Sequence, residues 1–254
     1  MGFGEPLLHN EIRILSPLQT VDAPDFCSIL PSMYVPPHFK GNRDQAKDLI
    51  RQNSFASLIS LDDAGLPYVT HLPLHLEERP SSTLRADGSA QSNFVLLGHV
   101  AKPNPHWRYL QARPQAVATF LGPHAYMSPR VYPDLARVPT WNYLAVHCTL
   151  QATLVEDPAS KDALLKKLIG DHEPPYAEQW LGMDEEFASK MLAGIVAFEL
   201  KVVDLQCKLK LNQHRPEAHV AMKAIYAAGD SDEQALAGWI DRLAIAGASP
   251  SHKV

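Results

Sequence analysis

The sequence predicts an α+β protein built on one antiparallel β-barrel, with helices at its periphery and a helical C-terminus. Three observations predict this. Short apolar runs, about six or seven of them, alternate with a period of two and are separated by polar turns. Helical periodicity gathers toward the ends of the chain instead of falling between every pair of strands, which disfavours repeated βαβ units. No internal repeat or long linker divides the 254 residues, a length that can bury one sizeable core.

Taken in order, residues 1–32 carry Pro6, Pro17, Pro24 and Pro31 with no sustained period and are expected to be an irregular arm. Residues 33–215 hold the barrel, and 216–254 a helical appendage packed on it. After Arg43, the positions of Ala46, Leu49 and Ile50 predict a short amphipathic helix. FASLISL, the DDAG turn and LPYVTHLPLHL predict a β-hairpin. In its second strand Tyr68, Thr70, Leu72 and Leu74 share one face, and Val69, His71, Pro73 and His75 the other. Pro73 cannot donate to a ladder, so it marks an edge or a bulge.

Residues 77–93, rich in Ser, Glu, Arg and Gly, are expected to form a polar loop. A strand at 94–100 then runs into the Pro-broken turn KPNPHW, with a short helix at 106–111. AVATF from Ala116 is a further strand, GPHAYMSP a turn and a brief strand, and Thr140 to Glu156 a long one. Pro158, following Asp157, opens a helix with Leu164, Leu165 and Leu168 on its apolar face, ending at Gly170. DEEFASKML is a second helix that stops by Gly194, and the last long strand starts at Ile195. Pro216 opens the first C-terminal helix, and Ser231 with Gln234 makes a capping-box signature for the second.

Composition excludes several classes. A formal net charge of −5 gives no global reason to bind nucleic acid. Cys27, Cys148 and Cys207 are widely separated and odd in number, which suggests neither a disulfide framework nor a thiol zinc site and fits a reducing cytoplasm. No segment approaches the roughly 18 apolar residues of a membrane span, and the first residues lack the order of a secretory signal. The expectation is a cytosolic protein without membrane contact.

For chemistry, no GxSxG elbow is present, and His71, His75 and His99 lack nearby carboxylates or thiols for a metal, so hydrogen-bonded barrel histidines are the expected reading. Asp184, Glu185 and Glu186 suit a helix first turn better than an acid/base pair. The two Ala-rich C-terminal helices offer few cations for a helix-turn-helix. An anionic planar ligand remains. Thr70 and His71 on one strand, with His99 and Lys102 at the end of another, could supply hydroxyl, imidazole and cation to a phosphate. Leu72, Trp141 and Tyr143 suit the walls of a flavin ring.

Six motifs in order, MYVPPHF at 33–39, THLPL at 70–74, GHVAKPNPHW at 98–107, GPHAYMSP at 122–129, VPTWNY at 138–143 and KLNQHR at 210–215, closely resemble the PaiB-type family of FMN-binding negative transcriptional regulators. The resemblance spans Met33 to about Tyr226. It implies a split β-barrel of the pyridoxamine-phosphate-oxidase type, a homodimer, and FMN in the groove between subunits. Carried over by motif, Thr70, His71, Leu72 and Pro73 line the flavin. Gly98, His99, Lys102 and Asn104 form the phosphate-side turn, Thr140, Trp141 and Asn142 come from across the dimer, and Lys210 and Gln213 close the site. Two departures stand out. Lys102 replaces a common Arg, keeping charge but losing a bidentate fork, with Pro103 after it; Asn212, Gln213 and His214 replace the usual Ser-Gln-Asn.

The resemblance implies a flavin-binding negative regulator that contacts DNA directly or through a partner. An FMN-dependent oxidoreductase is the alternative, since the cofactor carries its own chemistry and needs no visible protein acid or base. A dimer without cofactor is the third reading.

Overall fold

The computed structural model describes residues 33–84, 90–134, 136–176 and 184–245, with Gln179 and Gly182. The expected arm at 1–32 lies outside the described residues. Among them, the alternating segments build one antiparallel sheet of seven strands: β1 (Phe55–Leu61), β2 (Pro67–Pro73), β3 (His75–Leu84), β4 (Ala90–Ala101), β5 (Gln115–Met127), β6 (Thr140–Val155) and β7 (Ile195–Lys210). Their spatial order is β2-β1-β5-β6-β7-β4-β3.

The two outermost strands are therefore consecutive in the chain, with only Leu74 between them. The sheet curls until its two edges meet at this residue, which is buried and donates its N–H to Ser54 O at 2.9 Å. The β3–β4 ladder starts at His75↔Leu97, whereas β2 pairs with β1 from Phe55↔Pro73. β2 thus parts from β4, and the barrel is split along that seam. Gly98 lets the bend close down on β4: a Cβ there would meet Leu74 Cδ2 at 2.6 Å and Phe198 at 3.1 Å.

Residues 77–93 correct the sequence reading. They are not one loop, because β3 continues to Leu84 and β4 begins at Ala90. Polar side chains hid the strand while being satisfied across it. Arg79 donates twice to the Glu199 carboxylate, both at 2.7 Å, and again to Glu77. Gly122 to Met127 of GPHAYMSP likewise belong to a continuous β5, whose register against β6 shifts between Leu121 and His124, while Ser128 and Pro129 leave the strand.

The core lies inside the barrel, with Leu58, Phe94, Phe120, Leu144, Val146, Phe198 and Leu209 among its buried residues. Helix α1 (Arg43–Gln52) starts from a reciprocal capping box between Asn42 and Gln45 and buries Ala46, Leu49 and Ile50 in that core. The short α2 (His106–Ala112) follows the β4 turn. Helix α3 (Pro158–His172) is capped by Asp157, and its Leu164 and Leu168 cover Val95, Leu97 and Ala197 on the opposite face of the sheet. It continues two residues past Gly170. Helix α4 (Glu185–Ala193) is capped by Asp184.

Two C-terminal helices, α5 (His219–Ala227) and α6 (Ser231–Arg242), bury Met222, Tyr226, Leu236 and Trp239 in the main core. The α6 capping box is Asp230 with Glu233, one residue before the expected pair. Gln234 turns back to Gly229 O instead. Among the described residues no helix is long and apolar enough to cross a membrane.

Candidate functional site

The residues expected to form one site fall into two groups. The first gathers at the seam between β2 and the turn after β4. That turn is held by Asn104 N–H to Ala101 O at 2.8 Å, Lys102 N–H to Gly194 O at 2.8 Å, and Trp107 Nε1–H to Lys102 O at 3.0 Å. It carries Asn104 and His106 back onto β2. The Asn104 amide donates to Thr70 Oγ1 at 3.3 Å, while its carbonyl oxygen accepts from the His106 N–H at 3.0 Å and from the Tyr68 hydroxyl at 3.4 Å. His106 Nδ1 lies 2.7 Å from Thr70 Oγ1.

His106 is fully buried, its Nε2 has no partner, and burial pushes its pKa down to about 4. The ring is therefore neutral at pH 7. Thr70 points inward and is committed to this clamp. His71, on the other face of β2, is exposed and hydrogen-bonded to Ser57 Oγ at 3.0 Å. Leu72 is buried in the core, and Pro73 ends β2 at the bend. Gly98 faces the barrel interior, where its missing side chain makes room for Leu74 and Phe198.

His99 lies on the same face of β4 as Val95 and Leu97. Its Nδ1 is buried without a partner, and burial pushes its pKa down. Lys102 is exposed and makes no ion pair among the described residues. An unpaired ammonium, an orphaned imidazole nitrogen, the exposed His71 and the unpaired edge of β2 fit the phosphate and polar rim of a flavin.

The second group sits at the far end of β6 and β7. Lys210 Nζ donates to Thr140 Oγ1 and to Trp141 O, each at 2.6 Å. Trp141 is 53% exposed, with the rings of His124 and Tyr126 at 6.2 and 6.3 Å. It borders a hollow of about 600 Å³ whose other wall is residues 230–233. Asn142 points the opposite way. It is fully buried, and its amide donates to Tyr226 OH at 2.9 Å, which ties β6 to α5. Gln213 is occupied locally, donating to Leu209 O and accepting from the Leu211 N–H.

Strand register measures the separation of the groups. His99 pairs with Ala197 and Tyr143 with Lys210. At ~3.3 Å per residue, the thirteen steps from Ala197 to Lys210 amount to at most roughly 43 Å along the curved β7, and the eight from Ala118, level with Thr70, to Tyr126, level with Trp141, to at most roughly 26 Å along β5. One chain does not bring them together. The sheet's outer face exposes Leu61 and Val69 beside the first group, Phe55 and Leu121 between the groups, and Tyr126 beside Trp141 in the second.

Residues 33–204 match the family described as "Putative FMN-binding domain". The chain belongs to this FMN-binding family. Its cofactor is FMN. Over 189 residues the chain is 33% identical to "Protease synthase and sporulation protein PAI 2" of Bacillus subtilis (strain 168), which covers 73% of this chain and 84% of that protein. The PaiB-type motifs thus point to the right family. Among solved structures, the flavocytochrome Anf3 from Azotobacter vinelandii matches with a TM-score of 0.51 at 14% identity, covering 67% of this chain and 68% of that one. The FAD and heme binding protein from Mycobacterium smegmatis matches at 0.50 and 15% identity, covering 67% and 72%. At such identities these two speak for the fold alone.

Within this FMN-binding domain the sequence reading gave Tyr68 no site role and placed His106 only in the hydrogen-bonding turn after the 94–100 strand, without its contact to Thr70. Tyr68 shares the inward face with Thr70, so its alternation was a usable signal. His106 becomes a partner of Thr70 only because Pro103 and Pro105 turn the chain back, which no periodicity reports.

Proposed function

We propose that this protein is an FMN-binding negative transcriptional regulator whose flavin is held between two copies of the chain. In this reading residues 33–215 form the flavin domain and 216–254 an appendage that braces β6. Lys102 holds the phosphate, and His71 and His99 meet the polar rim of the ring. Trp141, Thr140 and Lys210 arrive from the second copy. When bound, FMN supplies electron and hydride chemistry; the protein's own residues bind it, orient it and cover it.

The observation that carries the reading is the division of the motif residues into two separate groups on a sheet whose outer face exposes apolar side chains. Exposed patches of this kind mark association surfaces, and a twofold pairing of like faces would set one group against the other. The regulatory part draws on the family and on the B. subtilis relative, whose name refers to protease synthesis and sporulation. With a net charge of −5, DNA contact through a partner is favoured over direct contact, and the cytoplasm is the setting.

Leu121→Glu on the outer face tests the reading. Light scattering and the visible flavin spectrum should report loss of the dimer and of FMN together. A monomer that keeps its flavin, or a dimer untouched by the charge, would refute it. The oxidoreductase reading gains ground if the FMN-loaded protein steadily oxidises NADH or NADPH.

A further inference from the structure

The end of β7 holds two ammonium groups for which the described residues supply no negative partner. Lys208 and Lys210 are two residues apart on a strand and so share a face. Their nitrogens stand over the same ring, that of Tyr143, at 5.2 and 5.8 Å from its centroid. Lys208 is only 8% exposed; its Nζ donates to Tyr34 O at 2.9 Å and faces the Tyr34 ring at 5.6 Å. Lys210 Nζ has the hydroxyl of Thr140 and the carbonyl of Trp141. Neither lysine forms an ion pair among the described residues.

Carbonyls and ring faces satisfy N–H donors without cancelling charge, and a half-buried pair of like charges is costly unless an anion joins it. The strain is visible in Lys210, whose pKa is pushed down by burial and then by Lys208. His147, on the same face, is pushed down by burial and by Lys208 as well, so it leans neutral and adds no third positive charge. An ammonium carries three donors. Beyond the contacts named, Lys208 and Lys210 therefore keep N–H groups free for a ligand.

We propose that Lys208 and Lys210 form a binding site for a small phosphate-class oxyanion, seated over Tyr143 and bordered by Tyr34. Two charges suit a dianion, and its several oxygens suit donors arriving from two stems. The same chemistry could come from the phosphate of an FMN held by a second copy or from a separate phosphorylated molecule. The site itself does not require flavin.

The test titrates flavin-free full-length protein with inorganic phosphate at constant ionic strength, set with chloride. The melting temperature should rise by about 3–5 °C once phosphate exceeds its Kd roughly ten-fold. Lys208→Met and Lys210→Met should each weaken phosphate binding about ten-fold or more, while Lys208→Arg retains it. No response of the wild-type protein beyond chloride, or an unchanged response in both Met variants, would overturn the proposal.

Repeating the titration with FMN or riboflavin separates the sources. If FMN abolishes the phosphate response and riboflavin does not, the flavin's own phosphate fills the site in place of the assignment to Lys102; a response that persists with both assigns a separate ligand and leaves Lys102 with the flavin phosphate. Either outcome supports the lysine pair. Failure to take up any flavin would sink the preceding functional reading and leave the phosphate titration standing.

Discussion

Acid should loosen the seam of the barrel through one histidine. His106 is fully buried, contacts Thr70 through Nδ1 and leaves Nε2 unpartnered, so its charged form has nothing to offset desolvation. Its pKa is pushed to about 4 from an ordinary value of 6.5. The unfolded chain therefore binds the proton first as pH falls, and stability is lost between about pH 6.5 and pH 4, levelling off below. At 1.36 kcal/mol per unit, the full loss is about 3 kcal/mol. For a chain of this size that corresponds to a fall in Tm of roughly 6–12 °C.

Thermal melts of the wild-type protein and of His106→Gln, recorded from pH 7 to pH 4, isolate this contribution. His99, His147 and His214 are also pushed down, with burial the largest cause in each, but they act in both proteins and cancel. His106→Gln should start less stable at pH 7 and lose less on acidification. Parallel curves for the two proteins would refute the argument.

Three other outcomes are expected. Lys102→Ala should weaken FMN binding about ten-fold, and His75→Ala much less, because Lys102 is unpaired while His75 is held by Asp171 at 2.7 Å; equal flavin retention in the two variants would contradict it. Asn142→Leu should cost about 1–3 kcal/mol by stranding the buried Tyr226 hydroxyl, and adding Tyr226→Phe should recover much of that in a double-mutant cycle followed by urea unfolding. Gly98→Ala should cost about 1–3 kcal/mol, since its Cβ would collide with Leu74 and Phe198; an unchanged urea midpoint would argue against the tight closure of the bend.

The barrel was legible wherever one face of a strand was apolar. FASLISL, VPTWNYLAVHCTL and GIVAFEL announced themselves by alternation, and Asn42, Asp157 and Asp184 cap helices that were expected from pattern. β3 was not legible, because its polar side chains are satisfied by partners distant in sequence: Glu77 by Lys167, Glu78 by Lys47 and Arg51, and Arg79 by Glu199. The motifs named the family and its cofactor, but they could not say which side of a strand each residue would occupy. Asn142 and Trp141 are neighbours in one motif, yet one is fully buried against Tyr226 and the other half exposed on the outer face. Lys208 could have been noticed from its two-residue spacing to Lys210. Its lack of a counter-charge among the described residues needed coordinates.

The stretch before α1 has a duty that its irregular appearance conceals. The first half of β7 is flanked by β4, but its second half has β6 on one side only, and there Gly41 N–H donates to Cys207 O at 2.9 Å while Lys40 bridges to Lys208. Residues 33–41 act as a stopper on an otherwise naked rim. Trimming the protein to begin at Arg43 would leave every strand intact and still uncover main-chain groups ready to recruit a neighbour's strand. Such a shortened chain would tend to precipitate, even though no part of its barrel had been removed.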